Sequence, residues 1–392
     1  MSPRPGRHFL QIPGPTNVPD RVLRAMAAPT IDHRGPEFAV LAREVLAGLA
    51  ELAGTTRPVA LYASSGTGAA EAALVNTLSP GDEILAFDTG QFAAQWAATA
   101  RRLGLEVDFV SGDWRHGVPI GRLTALLDAD TQRRIKAVTV IHNETSTGAV
   151  SPIPPIREAI DAANHPALLL VDTVSSLGSV PYRHDDWGVD VTVWGSQKGM
   201  MLPPGLGLNA VSDKALAASR TARLPRSYWD WDPMLDAART GFFPYTPPTN
   251  LMFGLREALT MLAEEGHVNV FERHRRHAEA TRAAVRGWGL EFVCQDEAAY
   301  SDTVTAVLLP EGHNADALRA QILDQYNLAL GAGLGRLAGR AFRIGHLGNL
   351  GDLELAGTLC GIEMGLASAG VPVKRAGVAA ALDYLASPGA DD

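Results

Sequence analysis

Cysteine is scarce in this chain of 392 residues: only Cys294 and Cys360 are present. Two isolated thiols make neither a disulfide framework nor a metal site, and each reads as a small buried hydrophobe. His33, His142 and His346 have no metal-like spacing, so no metal is assigned. Runs of basic residues are also missing. Lys and Arg total 34 against 43 Asp and Glu, a net charge of −9, which argues against nucleic acid or an anionic membrane surface as partner. No apolar run approaches the ~18 residues of a membrane span. The opening MSPRPGRHFL lacks the apolar centre of a secretory signal, so a cytoplasmic protein is expected. What remains is 46% hydrophobic and 20% charged, an ordinary globular composition with enough length for a sizeable core.

Residues 1–20 carry Pro3, Pro5, Pro13, Gly14, Pro15 and Pro19. Such a stretch forms neither a regular helix nor a central strand, and reads as an arm across another surface or a partner subunit. Helical spacing follows over 20–53, with Gly54 as a stop. From residue 58 onward short apolar runs alternate with helical segments: PVALYAS, EILAFD, EVDFVS and IKAVTVI, then Leu168–Val171 and Val189–Trp194. That alternation predicts a mostly parallel, doubly wound sheet with helices on both faces. Residues 203–215 read as one more strand, and 221–250 as a long aromatic and Pro-rich loop of the kind that is usually functional. Two long helices come next. The last hundred residues mix strand runs (FVC, TVTAVLLP, FRIGHLG) with helices, which predicts a smaller α+β domain. The expected division is an arm at 1–20, a large domain at 21–265 and a small domain at 266–392.

The chain is organised around residues 168–199. Two buried parallel strands there are followed at once by polar residues, Asp172 after the first and Gln197 and Lys198 after the second. In an open α/β sheet, ligands gather beyond the carboxyl ends of the strands, so this acid and this amine should share one crevice. Pyridoxal phosphate chemistry needs such a pair: a lysine for the Schiff base and an acid for the pyridinium nitrogen. The competing reading makes Asp172 a strand-end cap and Lys198 a solvated surface residue.

Other motifs face the same edge. SSGTG, with Gly66, Thr67 and Gly68, joins a strand to a helix and suits a bound phosphate, or is an ordinary turn with a capping serine. HNETSTG brings Thr145 to a strand end, where a hydroxyl can bond a phenolic oxygen. Arg343 in FRIGHLG offers a planar fork for a carboxylate, or a surface salt bridge. GAGLGRLAG, Gly331–Gly339, lacks a strand leading into it and an acid at the right distance, so a flexible substrate-side loop is favoured over a dinucleotide loop.

Taken together, these motifs resemble the class V aminotransferases of the fold-type I pyridoxal phosphate enzymes, and most closely the serine–glyoxylate and alanine–glyoxylate types. The likeness runs from PGPTNVP through GSQKGMMLPPGLG and GFFPYTPP to FRIGHLG. It implies pyridoxal 5'-phosphate as cofactor, with Lys198 as the Schiff-base lysine and Asp172 beside the ring nitrogen. Val174 would pack on the ring. Gly66, Thr67, Gly68 and Gln197 would hold the phosphate and Thr145 the phenolic oxygen. Thr246 would reach the phosphate of a second subunit, implying a homodimer with shared sites. Arg343, helped by backbone near Pro15 and Asn17, would clamp the substrate carboxylate. The chain departs from the pattern at Thr89, where an aromatic ring is expected to stack on the cofactor, and leaves Phe92 or His142 to replace it.

The resemblance implies transfer of an amino group from a small amino acid to glyoxylate, giving glycine and a 2-oxo acid. Serine is the favoured donor, with aspartate and alanine as alternatives. A lyase or desulfurase on the same fold would need a nucleophilic cysteine on a mobile loop, and neither Cys294 nor Cys360 fits that description.

Overall fold

The computed structural model describes residues 6–387; Pro3 and Pro5 of the expected arm lie outside the described residues. Fourteen strands are present among them. They are β1 Phe9–Gln11, β2 Val59–Ser64, β3 Glu83–Phe87, β4 Glu106–Val110, β5 Ile135–Ile141, β6 Asn143–Glu144 and β7 Ala149–Val150, then β8 Leu168–Asp172, β9 Val191–Gly195 and β10 Gly205–Val211, and finally β11 Glu291–Phe292, β12 Val304–Leu308, β13 Leu328–Ala332 and β14 Ala341–Gly345.

Seven of them form the main sheet in the order β2-β10-β9-β8-β5-β3-β4. All neighbours are parallel except β10, which runs antiparallel to both β2 and β9. The central strands are apolar throughout because both faces are covered: Leu168–Val171 are at most 5% exposed. Each leucine or valine so buried contributes about 1.5–3 kcal/mol relative to exposure. The expected mostly parallel, doubly wound sheet is the one observed.

Helices follow where the apolar spacing switches from two to about 3.6. The helix Pro36–Ala53 has its proline at the first position and ends at Gly54, whose φ of +66° closes the last turn; a left-handed residue there is tolerated best as glycine. The stretch 221–250 is not one long loop, because Trp231–Thr240 within it is a helix. Trp231, Met234 and Leu235 are spaced to share one helical face and are buried in the core beneath the main sheet's neighbour helices. No helix among the described residues is long and apolar enough to cross a membrane.

The strands of the last hundred residues form a second, five-stranded sheet, β1-β13-β14-β12-β11. Its edge strand comes from the start of the chain: β1 pairs in parallel with β13 across Phe9–Leu328 to Gln11–Leu330. The N-terminal stretch is therefore stitched into the far end of the sequence before it turns towards the main sheet. The three-residue edge strand itself holds no proline, and Pro13 and Pro15 follow it, where their missing N–H groups interrupt no ladder.

Candidate active site

Parallel strands deliver their last residues to one edge. Ile141 ends β5, Asp172 ends β8 and Gly195 ends β9; Ile141 pairs with Asp172, and Asp172 with Val193. Ser65 follows β2, which points the same way. At this edge lies a cavity of about 290 Å³ lined by Gly14, Pro15, Ser65, Gly66, Thr67, Phe92, Gln95, Asn143, Thr145, Asp172, Val174, Ser175, Gln197 and Lys198, among others.

Lys198 is not a surface lysine. It is 8% exposed, and its Nζ donates to Pro13 O at 2.5 Å. Burial, with Arg343 nearby, lowers its pKa to about 8, while Asp172 opposes the shift. Asp172 is pushed up to about 7 by burial, against a hydrogen bond that its Oδ1 accepts from Val174 N–H at 2.8 Å. Both line the cavity, and each charge favours the charged form of the other. Burial overturns the solvated-lysine reading; Asp172 does cap its strand end through Val174 N–H, and lines the cavity as well.

The helix Gly66–Thr77 starts at the cavity wall with no side-chain cap. Its first N–H groups and its partial positive end suit an anion. A β-carbon on Gly195 would lie 3.0 Å from Gln197 Oε1 and 3.1 Å from Gly66 N, so these two groups converge. Gln197 Oε1 is buried without a hydrogen-bond partner. Gly68 is set back from the lining: a β-carbon there would lie 2.6 Å from Trp229 Cη2 and nearer still to Ser64 Oγ.

Thr145 Oγ1 and Ser175 Oγ are 2.5 Å apart at the wall. The Thr145 carbonyl accepts from Arg343 Nη1 at 3.1 Å, and Arg343 Nε donates to Ala332 O at 2.6 Å. Arg343 is 7% exposed and has no carboxylate partner among the described residues, which rules out the surface salt bridge. It stands one residue behind the lining rather than in it. Pro15 lines the cavity, whereas Asn17 faces a different cleft and donates to Leu10 O at 3.2 Å. Thr246 is exposed on the single chain, away from this lining.

Thr89 is buried and lines a separate cleft. Of its two possible replacements, Phe92 lines the cavity. His142 turns the other way, bonded to Ser176 Oγ at 2.9 Å and packed between Tyr182 and Trp187. GAGLGRLAG is entered directly by β13, contrary to the sequence reading, but no helix opens after it. Arg336 in this loop instead holds Asp88 Oδ2 at 2.6 Å. Neither cysteine lines the cavity, and burial pushes Cys294 up to about 11, which suits an inert thiol.

The class-V aminotransferase family matches residues 8–338. The chain belongs to that family. It is 49% identical to the serine–glyoxylate aminotransferase of Methylorubrum extorquens, over 97% of each chain. It is 46% identical to the L-aspartate–glyoxylate aminotransferase of Paracoccus denitrificans, over 95% of each. Among solved structures, the pyridoxamine–pyruvate aminotransferase of Mesorhizobium loti superposes with a TM-score of 0.91 at 27% identity, over 98% of each chain. The chain is thus a fold-type I, pyridoxal 5'-phosphate-dependent transaminase. Its cavity fits the cofactor. An uncapped helix start presents N–H donors where a phosphate can be held, and an amine and a carboxyl line the same space. Sequence reasoning missed Gly14, Asn143 and Ser175 as lining residues, while Phe92 was one of its two candidates to replace the ring absent at Thr89; Ser175 lay in plain view three residues past a strand end.

Proposed function

We propose that this transaminase moves the amino group of serine to glyoxylate, releasing glycine and hydroxypyruvate. The observation that carries the choice of donor is the charge of the wall. Lys198 is the one cation in the lining, and Arg343 the one buried behind it. Arg223 is exposed and Arg226 is occupied by Ser219 O and Asp230, so neither offers a second carboxylate a partner. A donor with one carboxylate and a neutral side chain matches this wall better than aspartate does, because a buried unpaired carboxylate is costly. The named relatives from Methylorubrum and Paracoccus support glyoxylate as acceptor.

Pyridoxal phosphate supplies an electron sink for the charge left when the donor's Cα proton departs. The chain supplies the rest. Lys198 is the covalent anchor, and its freed Nζ takes that proton and later returns it. Asp172 keeps the ring nitrogen protonated. Val174 and Phe92 hold the ring. Gly66, Thr67 and Gln197 hold phosphate, with Gly68 allowing the close packing behind them. Thr145, with Ser175, bonds the phenolic oxygen. Arg343 clamps the substrate carboxylate, bordered by Pro15 and, further out, Asn17. In a cytoplasmic homodimer Thr246 reaches the phosphate of the second subunit.

Serine, alanine and aspartate, each with glyoxylate, form the test, read as glycine produced. Serine should give the highest kcat/KM. A preference for aspartate or alanine removes serine as donor, and no glycine from any of the three removes glyoxylate.

A further inference from the structure

The helix Gln91–Arg102 begins with nothing of its own to cap it: its N-cap is Gly90. The first N–H groups of an α-helix have no partner within the helix, and here the first to reach back is Ala94 N–H, to Gly90 O at 3.1 Å. The three before it are served from another part of the chain. Gln91 N–H donates to Ser146 Oγ at 3.0 Å, Phe92 N–H to Glu144 Oε2 at 3.1 Å, and Ala93 N–H to the same oxygen at 3.2 Å. Glu144 Oε1 accepts from Ser146 N–H at 3.0 Å and from Ser146 Oγ at 2.6 Å. Only donors bond to this carboxylate, the arrangement an ionised acid requires.

Glu144 is 1% exposed. A β-carbon on Gly90 would lie 2.4 Å from its Cγ, so the glycine is what lets the acid in. A serine is the ordinary N-cap and would cap a helix with no buried charge. The costlier solution ties the helix to the wall of the cavity. Phe92 and Gln95 of the capped helix line it, and so does Thr145, the residue after Glu144, whose carbonyl accepts from Arg343.

We propose that Glu144 is a positioning residue: its buried carboxylate fixes the first turn of the helix Gln91–Arg102 and so holds the Phe92 ring against the cofactor. This rests on the reading that the pyridoxal ring lies between Lys198 and Asp172, with Phe92 in place of the aromatic absent at Thr89. Glu144 touches neither substrate nor cofactor and acts through Phe92.

The test measures the Kd of the apoprotein for pyridoxal phosphate and the visible circular dichroism of the bound cofactor. Phe92→Leu should raise that Kd and weaken the dichroic band. Glu144→Ala should raise the Kd about tenfold, the size of a lost helix cap. The double variant should be no worse than the poorer single variant, because both act on one contact. Should Glu144→Ala fail to fold, Ser146→Ala decides; it removes one acceptor and one donor of the cap and should shift Kd and dichroism a few-fold in the same direction. The proposal is overturned if a folded Glu144→Ala, or in its stead Ser146→Ala, leaves both readouts at wild-type values. It is also overturned if the Phe92→Leu loss persists in full on top of the Glu144→Ala loss. If Phe92→Leu alone changes nothing, the placement of the ring falls, and this proposal with it.

Discussion

Gly14 and Lys198 contend for one volume. A β-carbon on Gly14 would stand 2.6 Å from Lys198 Nζ and 2.5 Å from Cε, and the glycine's φ is +116°. The lysine side chain therefore lies across a backbone surface that only glycine leaves open. Gly14→Ala should displace the amine by about the width of a methyl group, and a misplacement of that order costs roughly a hundredfold in rate. Steady-state kinetics beside a thermal melt separate this from unfolding. A folded Gly14→Ala enzyme within threefold of wild-type kcat/KM would show that Lys198 does not work from this position.

Arg343 has two of its nitrogens held by main-chain oxygens, Ala332 O and Thr145 O, so its plane is set before any substrate arrives. Arg343→Lys keeps a cation but loses the fork. A charge-assisted hydrogen bond is worth about 1.5–3 kcal/mol, so KM for amino acid and 2-oxo acid should rise roughly ten- to a hundredfold. The affinity for pyridoxal phosphate should stay as it was. Equal losses in both would make Arg343 a support of the fold rather than a substrate clamp.

Much of this arrangement could be read from the sequence, and the reason is periodicity. Continuous apolar runs marked the central strands, and the carboxyl-edge rule then placed Asp172 and Lys198 together. Alternation along a strand and its extension would also have settled one question left open. Ile141 and Asn143 face the cavity, so His142 between them must face away. Contacts set by tertiary structure left no local signal. The antiparallel insertion of β10, the pairing of β1 with β13 and the capping of Gln91–Arg102 by Glu144 all join segments whose spacing no pattern encodes. Asn17 looked like a neighbour of Pro15 in sequence, but the chain turns between them and sends it to another cleft.

Six histidines are lowered by burial. His142 and His184 are lowered to about 4 and His274 to about 3, with His165, His277 and His346 also below the usual value. In the unfolded chain each titrates near 6.5. Their contribution is therefore complete above pH 6.5 and is lost as pH falls towards their folded values. Each removes up to about 1.4 kcal/mol per pH unit in that window. Asp172, Glu144 and Asp302 act in the opposite sense, because their carboxyls are raised by burial, but they are fewer. Denaturation midpoints of the apoprotein between pH 7.5 and 5 should fall, with the decline starting near pH 6.5. A flat profile would mean that these rings find partners for their protons in the folded chain.

Lys198 must be an uncharged amine to attack an aldehyde. In the apoprotein burial and Arg343 bring it to about 8 rather than 10.5. The neutral fraction therefore grows as pH rises through 8 and is nearly complete a unit above. Capture of added pyridoxal phosphate, followed as the visible band that appears on mixing, should speed up with a midpoint near pH 8. Arg343→Gln takes away a neighbouring positive charge that disfavours the ammonium, so its midpoint should move upward. Arg343 lies behind Thr145 and outside the lining, so this shift would report its charge rather than any contact with the cofactor. A wild-type midpoint near that of an ordinary lysine would remove the buried amine from the account. A midpoint unmoved in Arg343→Gln would remove Arg343 as the cause.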